Sequence, residues 1–235
     1  MNPLGHFWLK MTGAHRLVER VSWLMILLSV SSLSVVRAAE SQATGFIRQL
    51  HERQLYRLAE VDARRQLAVT DLTDRERAEL AGWLLKSIAK QAMESADTST
   101  QPWTAATVAY EAIRRTIDDP YSQAEVDLQF QLVQLWRATA RLPAGPFSDD
   151  LSASFAEASD SLRSVETSLE ALRERVEQIS RTNTSRKVID PLAARQLGYL
   201  IRFKLGETYE RHAQCYEGGT PDRVYLLTQA LDHYA

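Results

Sequence analysis

Glycine and proline are scarce in this chain and are not scattered through it. Nine Gly and seven Pro occur in 235 residues, about 7% against a usual share near 12%. Most of those in the body of the chain fall at a few joints: Pro102, Pro120, Pro143 to Pro146, Pro191 and Gly218 to Pro221. A β-sandwich or barrel turns too often for so little punctuation, and no stretch keeps strand-like alternation. Long helices joined by short turns remain. Apolar residues at 45% and charged residues at 25% exclude a wholly disordered chain, and collagen-like or low-complexity classes fall with them. The formal charge of −2 and pI near 6.2 offer no bulk electrostatic case for nucleic acid.

The N-terminus reads as an address. Lys10, Arg16 and Arg20 precede an uncharged apolar run from Val21 to Val36, followed by Arg37-Ala38-Ala39 with small residues for cleavage near Ala38. Sixteen residues at about 1.5 Å rise span roughly 24 Å, short of a hydrocarbon core of about 30 Å. Five of the sixteen are Ser. Residues 1–38 are therefore expected to be a removable signal peptide that meets the membrane only transiently, rather than a retained anchor. Met11 offers an alternative start with a basic region of more usual length. Export implies a periplasmic or extracellular protein. With a single cysteine, Cys215, it has no intramolecular disulfide and depends on its hydrophobic core.

Helical periodicity then predicts seven helices in two regions, 39–143 and 147–235. One uninterrupted helix is expected over 41–69, with Ile47, Leu50, Leu58 and Val61 on its apolar face, widened by Phe46, Leu55 and Tyr56. Thr73 and Glu76 form a capping box for a helix to about Ala96, burying Leu80, Trp83, Leu84, Ile88 and Met93. Asp97 to Thr100 is a polar linker. Trp103, Ala106, Tyr110, Ile113 and Ile117 mark the next helix, and Val126, Phe130, Val133, Leu135 and Trp136 the one after. Beyond Pro146, Phe155, Ala158, Leu162, Val165, Leu169, Leu172, Val176 and Ile179 recur at alternating spacings of three and four, a heptad stripe. Glu166, Arg173, Glu174 and Arg175 are expected to keep its opposite face wet. Thr182 to Lys187 reads as a polar turn, and Asp190-Pro191 opens a helix whose Leu192, Leu197, Leu200, Ile201 and Leu205 would meet the stripe. The same stripe could instead seam a homodimer through 155–179. Thr220-Pro221 starts the last helix, whose stripe of Leu226, Leu227, Ala230, Leu231 and Tyr234 is unfinished at Ala235, as in a truncated array.

Two segments resemble the tetratricopeptide repeat. Leu205-Gly206-Glu207-Thr208-Tyr209 is similar to the LGxxY core of its first helix, and Ala230 with Tyr234 to the A-x-x-x-[FY] step of its second. Trp103 to Pro120 repeats the second-helix pattern through Ala106, Tyr110 and Pro120. Two departures stand out. Arg202 occupies the place of the motif's large apolar residue, and Leu205 lies 25 positions before Ala230 where the motif has 13. The resemblance implies an all-α stack of antiparallel hairpins, a helical solenoid or bundle, that binds a protein or peptide in a concave groove.

Residue chemistry offers few competing sites. His212 and Cys215 lie one turn apart and His233 could approach from the next helix, but a zinc site lacks a fourth ligand and an HExxH pattern. Cys215 with His212 could in principle form a nucleophile pair; a small buried residue facing the Leu226 helix is the expected role. Asp118/Asp119 and Asp149/Asp150 read as helix caps beside Pro. Trp83, Trp103, Tyr110, Phe130 and Trp136 read as core. Arg64-Arg65 and Arg114-Arg115 are doublets balanced by nearby acids. No catalytic, cofactor-binding or metal residue is assigned. The expected function is an exported interaction scaffold without catalysis; the alternative is a helical accessory domain of an exported enzyme whose catalytic part lies beyond residue 235.

Overall fold

The computed structural model describes residues 42–95, 101–143, 147–148, 151–183 and 191–235. The expected signal peptide, Met11, the Asp97–Thr100 linker, the Asp149/Asp150 cap, most of the Thr182–Lys187 turn and Asp190 lie outside them. Eight α-helices make up the described residues: α1 Gln42–Glu52, α2 Tyr56–Leu67, α3 Asp74–Glu94, α4 Gln101–Arg114, α5 Pro120–Ala140, α6 Ser152–Asn183, α7 Pro191–Ala213 and α8 Pro221–Tyr234. Ala43–Ala235 forms one compact unit.

The expected helix over 41–69 is two. Gln54 takes a left-handed conformation, φ 59°, and Leu55 N–H donates to Leu50 O at 2.8 Å while Gln54 N–H donates to His51 O at 3.0 Å. This is a Schellman stop made without glycine, so no punctuating residue announces it. The break rotates α2 so that Ala59 and Ala63 face inward, leaving Leu58 and Val61 more than half exposed. Phe46, Leu55 and Met93 are exposed as well.

Elsewhere the helix starts follow local chemistry. Thr73 Oγ1 accepts from Glu76 N–H and Glu76 Oε2 accepts from Thr73 N–H, closing the capping box and holding the Glu76 carboxyl below its ordinary range. Asp119 caps α5 by accepting from Ser122 N–H at 2.7 Å. Its own N–H and that of Asp118 are taken by Asp74 across the joint. Thr220 caps α8, with Pro221 at its first position.

The helices stack in two interleaved rows. α3 packs on α5 and α5 on α7, while α4, α6 and α8 pack against these, each on its neighbours in sequence. α5 is central because it buries both faces. Ala124, Leu128, Leu135 and Ala138 enter a core shared with α6 and α7, whereas Val133 enters a second core with α1 to α4. The heptad stripe is covered within the chain, Phe155 to Val176 lying against α5 and against Leu197, Ile201 and Leu205 of α7. Leu192 and Leu200 stay exposed. In the α7–α8 hairpin a Cβ at Gly206 would stand 2.6 Å from the Tyr234 ring, so the ring's seat there depends on glycine. No helix of the described residues is long and apolar enough to cross a membrane.

Candidate functional site

The two-row stacking leaves a trough. α4 and α6 both lie on α5, yet their Cα atoms come nowhere within 8 Å of each other. Between them opens a concavity of about 610 Å³, floored by Phe130, Gln134 and Arg137 of α5 and walled by Thr107 of α4 and Glu157 to Ser168 of α6. On α6 the contributors, Glu157, Asp160, Ser161, Ser164 and Ser168, recur at helical spacing and form the flank beside the heptad stripe, whose Val165 also borders the trough. Polar groups of both kinds point into the trough. Arg141 pairs with Glu157 at 3.0 Å at one end. Arg137 is held below its ordinary range by burial and by Arg141, and its Nε is buried without an acceptor. Hydroxyls and amides suit an extended peptide, whose backbone offers both donors and acceptors.

A second constellation lies inside the core. His212 of α7 is 3% exposed, with Nδ1 at 2.6 Å from Glu166 Oε1 and Nε2 at 2.8 Å from Ser159 Oγ; Tyr216 OH lies 3.2 Å from the same Oγ. Every member has a partner: the imidazole bonds Glu166 through Nδ1 and Ser159 through Nε2, and the Ser159 hydroxyl also bonds Tyr216. Glu166, expected on the wet face of α6, is therefore buried, because α7 covers that flank and answers it with an imidazole. Arg173 and Arg175 are also partly covered. The order Ser–His–Glu is that of an acyl-transfer relay. Here Ser159 sits inside α6, where neighbouring N–H groups are committed to the helix and cannot stabilise an oxyanion, and it is 7% exposed. The relay's chemistry is cohesive: it ties α6 to α7.

Asp127 of α5 is the corresponding tie on the other flank. It accepts from Tyr110 OH and Arg114 Nε of α4, each at 2.8 Å, and from Arg175 of α6. Tyr110 stacks on Phe130, ring centroids 4.0 Å apart. Its phenol is pushed up to about 12 by burial and by Asp127.

The remaining sequence candidates are dispersed. His233 does not join His212 and Cys215; it stacks on Tyr209 and faces Glu170 at 3.4 Å. Among the described residues no three His, Cys, Asp or Glu side chains gather as metal ligands. Arg64 and Arg65 pair with Glu60 and Asp62, and Arg115 with Glu111. Trp103 is buried, and Trp83, Tyr110, Phe130 and Trp136 pack around the α1–α5 core, with Lys86 over the Trp83 ring and Lys90 over Trp136. Cys215 packs in the core of α5, α6 and α7, and burial, reinforced by Glu166, pushes its thiol up to about 11. Since the thiolate is the reactive form, native Cys215 should react with a disulfide reagent at pH 8 at least about a hundredfold more slowly than in the unfolded chain. Equal rates would contradict this burial.

Signals for the trough and the Ser159–His212–Glu166 relay were absent at the level of motif. The relay joins residues 46 and 53 positions apart, and the trough depends on which helices fail to touch. Comparisons with family models, with curated proteins and with solved structures give no match to this chain.

Proposed function

We propose that this protein is an exported, non-catalytic scaffold of tetratricopeptide-like hairpins that binds a peptide segment of a partner protein in the trough between α4 and α6. The trough carries the proposal: it is concave, long in the direction of α6, and lined by donors and acceptors rather than by a converging reactive set. The hairpin reading is supported by Leu205 and Ala230, both buried, and by Gly206, which admits Tyr234 at the place where the repeat motif has its small residue. Export is supported by the basic, apolar and small-residue order of residues 1–38.

Selection of a displayed random-peptide library on the wild-type protein tests the function. Enriched peptides should bind the wild type in the micromolar range and lose at least about tenfold in affinity for Ser164→Trp, which fills the trough from an exposed position. Failure to enrich any peptide, or equal binding to the filled variant, would refute peptide binding in this trough.

A further inference from the structure

A second concavity lies between α6 and α7, and its chemistry differs from that of the trough. It measures about 310 Å³ and carries four arginines, Arg173 and Arg181 from α6 and Arg195 and Arg202 from α7. The α6 pair is eight residues apart and the α7 pair seven, so each spans about two helical turns, roughly 10–12 Å. Two parallel edges of guanidinium thus face each other across one groove.

Internal pairing does not use up this charge. Arg173 is bonded through one terminal nitrogen to Glu170 at 2.8 Å, and Arg181 meets Glu177 at 3.3 Å. Arg195 has no acidic partner among the described residues, and Arg202 reaches only the Asp232 carbonyl at 3.5 Å. Among the described residues two positive charges, those of Arg195 and Arg202, are thus left over. Like charges gathered on one groove repel, and an oxyanion relieves that repulsion while accepting several N–H groups at once.

The floor has its own signature. Val176 and Ala194 are buried and apolar, and Gly198 lies between the arginines of α7. A glycine inside a helix costs about 1 kcal/mol relative to Ala. Gly206 answers a packing need, the Tyr234 ring; Gly198 answers none, since a Cβ there would meet nothing within 4 Å. What it does is keep the groove open. Tyr199, 67% exposed, stands at the same rim as an aromatic flank.

From this we infer that the α6–α7 groove is a binding site for a small soluble ligand bearing a diphosphate or a comparable multiply charged phosphate group. Guanidinium forks from both helices hold its oxygens, and its body rests on Val176, Ala194 and Tyr199. The site is separate from the trough between α4 and α6, and each stands or falls without the other.

Calorimetric titration of the mature wild-type protein with sodium pyrophosphate is the test, using sodium chloride of matched ionic strength as the control. Binding is expected for pyrophosphate and not for chloride, with affinity falling as salt rises. The double variant R195Q/R202Q should lose at least about tenfold, since each guanidinium-to-oxyanion contact is charge-assisted. Gly198→Leu should abolish binding while leaving the unfolding midpoint unchanged or raised, because its side chain enters the open groove. Absence of pyrophosphate binding, or equal binding by wild type and both variants, would overturn the site. Sedimentation with phosphatidic acid vesicles but no binding of pyrophosphate would place the phosphate on a lipid surface and would equally overturn a soluble ligand.

Discussion

Replacing His212 with Leu should lower the free energy of unfolding by about 4 kcal/mol, a large part of the stability of an ordinary domain. The volume change is small, so lost packing is the lesser part. What matters is the company left behind. Glu166 is 8% exposed and Ser159 7%, and both lose their partner in the interior. A buried carboxylate without a donor must either carry its charge unpaired or take up a proton, and each course costs several kcal/mol. The double variant H212L/E166M should recover more than half of the loss, because it removes the stranded group along with its partner. Urea unfolding of the four members of this cycle measures the coupling. A loss below about 1 kcal/mol in the single variant, or no recovery in the double, would show that the relay does not hold α6 to α7.

That relay also marks where sequence reasoning stops. The stripe from Phe155 to Val176 could be read from spacing alone, because each of its members is apolar and faces one way. Glu166 sits beside the stripe and has the composition of a solvated position. Only the approach of α7, with His212 at the matching height, makes it an interior residue. Helix starts were equally legible at Thr73, Asp119 and Thr220, since a cap is a local contract among four residues. The stop at Gln54 was not, because a Schellman turn can be built on a residue that pays a modest strain for its left-handed backbone. α5 gave a third lesson. The residues that mark it in the sequence divide between two cores, Phe130, Val133 and Trp136 going to one and Leu135, with Leu128, to the other, as a helix packed on both sides requires. The trough was invisible for a different reason: it is a gap, set by the distance between α4 and α6, and no residue type encodes a gap.

Stability should fall as the pH drops from about 6.5 to about 4, and His51 should account for about 2 kcal/mol of that fall. His51 closes α1 against α3: its Nε2 lies 2.7 Å from Ser87 Oγ, whose own proton goes to the Trp83 carbonyl, and the ring lies between those of Tyr56 and Trp83. Because Ser87 has committed its hydrogen, the imidazole donates from Nε2 and is neutral. Burial is the main force holding it so, joined by the positive charges of Lys86 and Lys90, with the Trp83 backbone opposing them; together they push it from 6.5 down to about 4. The folded state thus resists a proton that the unfolded chain accepts. Above 6.5 both states are neutral and the full stability is present; between 6.5 and 4 only the unfolded chain gains the proton, so stability is lost across that window. The full interval corresponds to about 3 kcal/mol, and screening of the two lysines, which reach solvent, reduces it to about 2. Acidic residues elsewhere add their own acid lability, so the measurement is a difference: urea unfolding of wild type and His51→Gln at pH 7.5 and pH 4.5. The glutamine keeps a donor for Ser87 and cannot charge. Its loss of stability between the two pH values should be smaller than that of the wild type by about 2 kcal/mol, and identical losses would mean that His51 is protonated in the folded chain as readily as in the unfolded one.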